Sequence, residues 1–162
     1  MTDEVDQIVA AWQAERPDLD VSPIQVLSRI NRIAQLLDER RSQAFADHGL
    51  APHEFDVLAA LRRSGTPYEQ TPGQLLEATH VTSGTMTNRL DRLVERNLVV
   101  RRAHPADGRQ VNIRLTAAGR RKVDAAFEAL LASEEALLHE LPAAQRAGLA
   151  AGLKRLLSLT GT

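Results

Sequence analysis

The 162-residue sequence contains no cysteine, which excludes disulfide bridges, thiolate zinc sites and any switch built on thiol oxidation. Aromatic residues are only 3% of it, while Ala and Leu abound, a composition that favours helices packed on helices. No N-terminal apolar run suits a signal peptide and no stretch could span a bilayer, so a cytoplasmic protein without a membrane partner is expected. Enzyme signatures are absent as well: there is no HExxH, GxSxG, P-loop or GxGxxG. The histidines at 48, 53, 80, 104 and 139 are dispersed and read as surface or satisfied side chains. No catalytic residue, cofactor or metal site is therefore expected.

What is present is concentrated between Val81 and Leu115. Thr82 or Ser83 offers an N-cap hydroxyl, and Met86, Leu90, Leu93 and Val94 then recur at helical spacing. Asn97 suits the left-handed position that ends a helix. Leu98-Val99-Val100 reads as a strand and Pro105-Ala106-Asp107-Gly108 as a turn. Val111, Ile113 and Leu115 alternate on one face of a returning strand. A helix with one apolar seam followed by a β-hairpin with a basic tip is the layout of a winged helix.

Charge agrees with that layout. Residues 81–122 hold ten Lys/Arg and three acids, a net of +7, whereas the whole chain is −1 and the remainder therefore −8. Local field rather than net charge governs binding to a polyanion, so double-stranded DNA is the expected partner. Ordinary solvated arginines are the plain alternative.

The remaining segments read as helices around this module. Residues 3–15 form a short amphipathic helix with Val5, Ile8, Val9 and Trp12 on one face. Ser22-Pro23 starts a long helix, Ser as cap and Pro at N1, with Val26, Ile30, Ile33, Leu37, Ala44 and Phe45 as its stripe, ending near His48-Gly49. Leu50-Ala51-Pro52 opens another, closed by Ser64-Gly65. Thr71-Pro72 caps a short helix that forms a helix-turn-helix with the one after it. Thr116 caps a long helix through Val123, Phe127, Leu130, Leu131, Leu137 and Leu138; Leu141-Pro142 interrupts, and a last helix carries Leu149, Leu153, Leu156 and Leu157. Terminal helices with this much apolar surface are best satisfied by a second copy, giving a homodimer, with an intramolecular bundle as the alternative. The expected organisation is one mostly α domain over 1–162 with a small β-hairpin wing. It comprises an additional helix (1–20), dimerisation helices (22–48 and 116–160) and a winged helix-turn-helix lobe (50–115).

At 100° per residue the apolar seam turns Asn88 and Arg92 outward, with Thr85 on the flank. Asn88 suits adenine and Arg92 guanine, while the hydroxyls of Ser83, Thr85 and Thr87 suit phosphates or base edges near the helix N-terminus. At the wing tip Arg109 suits a narrow minor groove, oriented by Asp107. Asp107-Gly108-Arg109 also reads simply as a hairpin turn.

The run VTSGTMTNRLDRLVERNLVVRRAHPADGRQVNIRLTAAG, with its D-x-R wing and its L-T-x-x-G helix opening, resembles the MarR family of winged-helix regulators. Two departures stand out: Asn97 where that family usually has Gly, and Gly108 where many members have a second Arg. The added N-terminal helix with Trp12, ERPDLDVSPIQVLSRINRI and EFDVLAALRRSG resemble the urate-responsive PecS/HucR branch of that family. The resemblance implies a dimeric repressor on a palindromic operator. It also implies release by an anionic small molecule, urate or a related purine, bound through Trp12, Asp56, Arg89 and Arg101. On the residues alone, Asp56 and an arginine also read as a structural ion pair without ligand. A phenolic carboxylate such as salicylate, or a DNA-binding protein with no small-molecule ligand, remains the alternative. Arg109→Ala is expected to lower operator affinity by ~1–3 kcal/mol without unfolding the protein. Unchanged binding in a gel-shift titration would remove the wing from the interface.

Overall fold

The computed structural model describes residues 2–79, 81–103 and 111–161. In chain order the elements are α1 (Glu4–Glu15), α2 (Ser22–Ala46), α3 (Pro52–Arg63), β1 (Glu69–Gln70), α4 (Pro72–Thr79), α5 (Ser83–Glu95), β2 (Val99–Ala103), β3 (Val111–Leu115), α6 (Ala117–Leu138) and α7 (Ala143–Leu159). This is the mostly helical winged architecture expected. The packing separates residues 1–43 from residues 44–162 as two compact units. Among the described residues no helix is long and apolar enough to cross a membrane.

In the first unit, Asp3 and Asp6 close a capping box at the start of α1. Arg29 of α2 bonds both carboxylates at 2.6–3.0 Å. Val5, Val9 and Val21 bury a small cluster with Ile24 beside it. Trp12 is not part of that buried face, being 51% exposed. The start of α2 also differs from its sequence reading. Ser22 is already helical, and its N–H donates to the carboxylate of Asp20 at 2.9 Å. Asp20, two residues upstream of the Ser-Pro pair, thus satisfies the N–H of Ser22, one of the orphan donors of the first turn. On the expected α2 stripe, Val26 and Ile33 are exposed.

The second unit holds the main core. Phe45 at the end of α2 stacks on Phe55 of α3 with centroids 3.9 Å apart. Around them pack Leu58, Leu61, Leu75, Met86, Leu90, Leu93, Leu98, Val99, Ile113, Leu115, Val123 and Leu130. The sheet runs β1-β3-β2, antiparallel throughout. Val99 faces Leu115 and Arg101 faces Ile113. The two-residue β1 is not legible in the sequence; it pairs Glu69 with Arg114 and Gln70 with Ile113. The strand expected at Leu98 begins one residue later and runs on to Ala103. In β3 the alternation fails at its ends: Val111 is exposed, while Asn112 is buried and donates to Glu69 Oε1 at 2.7 Å. The extra strand explains this, since β1 brings a carboxylate over a position the pattern assigns to solvent.

Helix ends fix where α5 sits. Asn97 adopts φ 55°, and the Asn97 N–H bonds Val94 O while Leu98 N–H bonds Leu93 O. That pair of bonds is a Schellman stop, which explains how Asn serves where Gly is usual. Thr116 caps α6, its Oγ1 accepting from Gly119 N–H at 2.9 Å. A Cβ on Gly119 would lie 2.1 Å from Leu98 O, so the helix start is pressed onto the strand entry and only glycine fits. Gly119→Ala is expected to cost about 1–3 kcal/mol, the range for overpacking a close contact. Urea unfolding should show it; an unchanged midpoint would mean the backbone shifts without penalty.

Candidate nucleic-acid interface

Helix α5 carries a polar face because its opposite face is spoken for. Met86, Leu90 and Leu93 are at most 2% exposed, and Val94 packs against the same core. Burying three such side chains is worth several kcal/mol, enough to fix the rotation of the helix about its axis. That rotation leaves Ser83, Thr85, Thr87, Asn88 and Arg92 exposed. Thr82 occupies the N-cap, yet its hydroxyl pairs with Thr85 Oγ1 at 3.0 Å instead of capping a backbone N–H. Thr87 bonds back to Ser83 O at 3.2 Å. The N–H groups of the first turn therefore keep their outward dipole uncapped by side chains. Asp107 and Arg109 lie outside the described residues.

The C-terminal end of α5 is pinned by a contact that sequence reasoning missed. Arg96 donates to Glu54 Oε1 and to Gly49 O. Glu54 is 6% exposed and also accepts from Ala51 N–H at 2.9 Å. Burial pushes the Glu54 carboxyl up, but the Arg96 and Ala51 bonds outweigh it and hold it below the ordinary carboxylate range. A depressed carboxyl contributes stability above the unfolded-state value and loses it on acidification through the folded one. The signal is present in the sequence as a glutamate three residues after Ala51, the N3 position of a capping box, but without the usual Ser or Thr before it.

No hydrogen bond or ion pair joins Asp56, Arg89 and Arg101 to one another, Arg101 being paired with Asp91. Trp12 belongs to the first unit and Asp56, Arg89 and Arg101 to the second. Asp56 is half-buried and makes no hydrogen bond or ion pair with a described residue, so no Asp56–Arg89 pair forms. Arg101 is instead held by Asp91 at 2.6 Å. Arg89 is half-buried on the flank of α5. Its guanidinium opens onto a cavity of about 280 Å³ shared with His53 of α3 and with Thr85, Asn88 and Arg92. A lone histidine carries no spacing signal, so the sequence gives His53 no role. Only the packing of α3 against α5 brings it here. No group of three or more His, Cys, Asp or Glu able to hold a metal occurs among the described residues.

The model of the MarR family matches residues 48–110, from the last turn before α3 to the wing. Over 152 residues the chain is 37% identical to the HTH-type transcriptional regulator PecS of Dickeya dadantii (strain 3937), covering 94% of this chain and 92% of that protein. A structure of Bordetella bronchiseptica BpsR, concerned with regulation of its DNA binding by 6-hydroxynicotinic acid, aligns with a TM-score of 0.66 at 26% identity, over 81% of this chain and 91% of that one. A MarR family protein from Bacillus stearothermophilus superposes with a TM-score of 0.75 over 89% of this chain and 99% of its own; at 21% identity it speaks for the fold alone. The relative that is 37% identical over 92% of its own length, taken with the winged fold and outward polar helix described above, shows that the chain belongs to the MarR family and is a DNA-binding transcriptional regulator, not an enzyme.

Proposed function

We propose that the protein is a repressor that binds a palindromic operator as a homodimer and is released by an anionic small molecule, urate or a related purine. The observation that carries the reading is the disposition of α5: a buried seam on one side, and Asn88 and Arg92 exposed on the other. In a major groove Asn88 would pair with an adenine edge and Arg92 with guanine O6 and N7, while Ser83, Thr85 and Thr87 would meet phosphates. The wing residues Asp107 and Arg109 would reach the adjacent minor groove.

Dimerisation is supported by surface that one copy leaves bare. Phe127, Leu131 and Leu137 of α6 and Leu149, Leu153 and Leu157 of α7 are all more than 40% exposed, and α7 buries no residue. Helices this apolar on their exposed face mark an interface in a soluble protein. Two-fold pairing would set two reading helices about one DNA turn apart.

The ligand reading rests on chemistry and on relatives. Arg89 has no acidic partner among the described residues, and Asp56 likewise lacks a basic one. A purine monoanion offers both negative charge for a guanidinium and N–H groups for a carboxylate. Arg101, now tied to Asp91, would exchange that partner for the ligand. A relative named PecS at 37% identity supports the urate branch. Regulation of BpsR DNA binding by 6-hydroxynicotinic acid favours an aromatic carboxylate such as salicylate as the second reading.

Gel shifts on the intergenic region upstream of the gene test the whole reading: one discrete complex that urate dissolves is expected. Smearing without a sequence-specific band would leave a nonspecific DNA binder. Arg92→Ala should lose ~1–3 kcal/mol of operator affinity and relax preference at a single base pair in each half-site. Asp56→Asn should bind operator normally while responding less to urate. A wild-type urate response in that variant would take Asp56 out of the sensing route.

A further inference from the structure

The seam of α5 settles which way its side chains point, but it is a weaker control on where the helix stands along its own axis. Apolar burial is non-directional and grows with area, so the seam resists a small axial slip only weakly. Hydrogen bonds discriminate far more sharply in distance and angle. Among the described residues two ion pairs tie α5 and its C-cap to other elements. Asp91–Arg101 is a single bond at 2.6 Å between side chains that are each nearly half exposed, a kind of surface pair that contributes little. Arg96 differs: separate nitrogens of its guanidinium donate to Glu54 Oε1 and, at 2.6 Å, to Gly49 O, and Glu54 is buried. Both ends of this clamp are locked. Arg96 is the C-cap of α5, within the stop at Asn97. Gly49 holds the matching place at the end of α2, with φ 61°. Its N–H bonds Ala46 O at 2.8 Å while Leu50 N–H bonds Phe45 O at 2.9 Å, a second Schellman stop. Lys122 of α6 holds the preceding carbonyl, His48 O, at 2.8 Å, and Glu54 Oε2 is taken by Ala51 N–H. Neither acceptor is free to follow Arg96 if it moves.

We propose that Arg96 is a specificity-determining positioning residue: its paired bonds hold α5 at the axial height where Asn88 and Arg92 meet base edges and not phosphates alone. The inference rests on the assignment of Asn88 and Arg92 as base-reading residues. Arg92 lies about one helical turn before Arg96 and Asn88 about one turn before that, so a displacement at the C-cap is carried along the helix to both. Bidentate pairing of Arg92 with guanine needs two bonds in range at once. Attraction to phosphates is long-ranged and survives a small displacement. Loss of the clamp therefore erodes discrimination between sequences and leaves sequence-independent binding in place. Removing Arg96 takes a positive charge from the module and removing Glu54 takes a negative one. A purely electrostatic role would shift DNA affinity in opposite directions, whereas a positioning role lowers discrimination in both.

The test is fluorescence anisotropy with the full-length protein on two probes: the duplex that wild type enriches from a random-sequence pool, and a scrambled duplex of the same length. Arg96→Ala and Glu54→Ala should both lower the ratio of the two affinities about tenfold, within the range for one bidentate base contact. Affinity for the scrambled duplex should fall in Arg96→Ala and rise in Glu54→Ala. Arg96→Lys keeps the charge but lacks the planar fork that reaches both acceptors; it should bind scrambled DNA like wild type with the ratio still reduced. The folded fraction, followed by melting temperature, enters both affinities equally and cancels in the ratio. If Glu54→Ala, which leaves Ala51 N–H and Arg96 without their acceptor, does not fold, the two Arg96 variants decide. A wild-type ratio in Arg96→Ala, full recovery of the ratio in Arg96→Lys, or ratios that move in opposite directions in the two alanine variants would each overturn the proposal. Arg92→Ala separates it from its premise. A reduced ratio there beside a wild-type ratio in Arg96→Ala removes only the positioning role. A wild-type ratio in Arg92→Ala removes the base-reading assignment and this proposal with it.

Discussion

The burial of Met86, Leu90 and Leu93 is the constraint on which everything downstream depends. These residues recur every three to four positions, so a single rotation of α5 sends all of them into the core. The same rotation decides which side chains remain outside. Nothing in Asn88 or Arg92 makes them face outward; they do so because their neighbours face in. Axial position is set separately. The Schellman stop at Asn97 ends the helix, and Arg96 clamps that end to Glu54 and to the carbonyl of Gly49. Rotation and translation of the reading helix are thus governed by different forces, apolar packing for the first and charge-assisted hydrogen bonds for the second.

Electrostatics sorts the arginines of this module into two populations. Arg96 and Arg101 are paired with Glu54 and Asp91 and serve the architecture. Arg89 and Arg92 keep their charge for something the chain itself does not supply. Counting arginines in the sequence could not make this division, because both kinds sit within the same short segment. A net of +7 across residues 81–122 describes the long-range field that attracts DNA. The unpaired guanidiniums are where contact with DNA is proposed.

The winged helix is legible in the sequence because its signals are local. Seam spacing, the Asn stop, the turn chemistry and the Thr116 cap each operate within a few residues. What escapes the sequence depends on partners far along the chain. Strand β1 is two residues long and exists only because β3 pairs with it. Asn112 is buried because Glu69 reaches it from that strand. Ser22 is helical and not the cap, and its own N–H is taken by the carboxylate of Asp20 two residues upstream. The L-T-x-x-G opening of α6 is recognisable as a pattern, but its cause emerges only in three dimensions: Leu98 O leaves no room for a Cβ at Gly119. For the candidate site, the outward face of α5 can be drawn from the 100° rule. The proximity of His53 to Arg89 cannot, since it depends on how α3 packs against α5.

Chemical protection of guanine N7 tests most directly whether the seam of α5 turns its polar face into DNA. Dimethyl sulfate treatment of the operator complex should protect guanines in two half-sites about one helical turn apart, since N7 is displayed only in the major groove. Full guanine methylation in the complex, with protection confined to minor-groove adenine N3, would contradict the account.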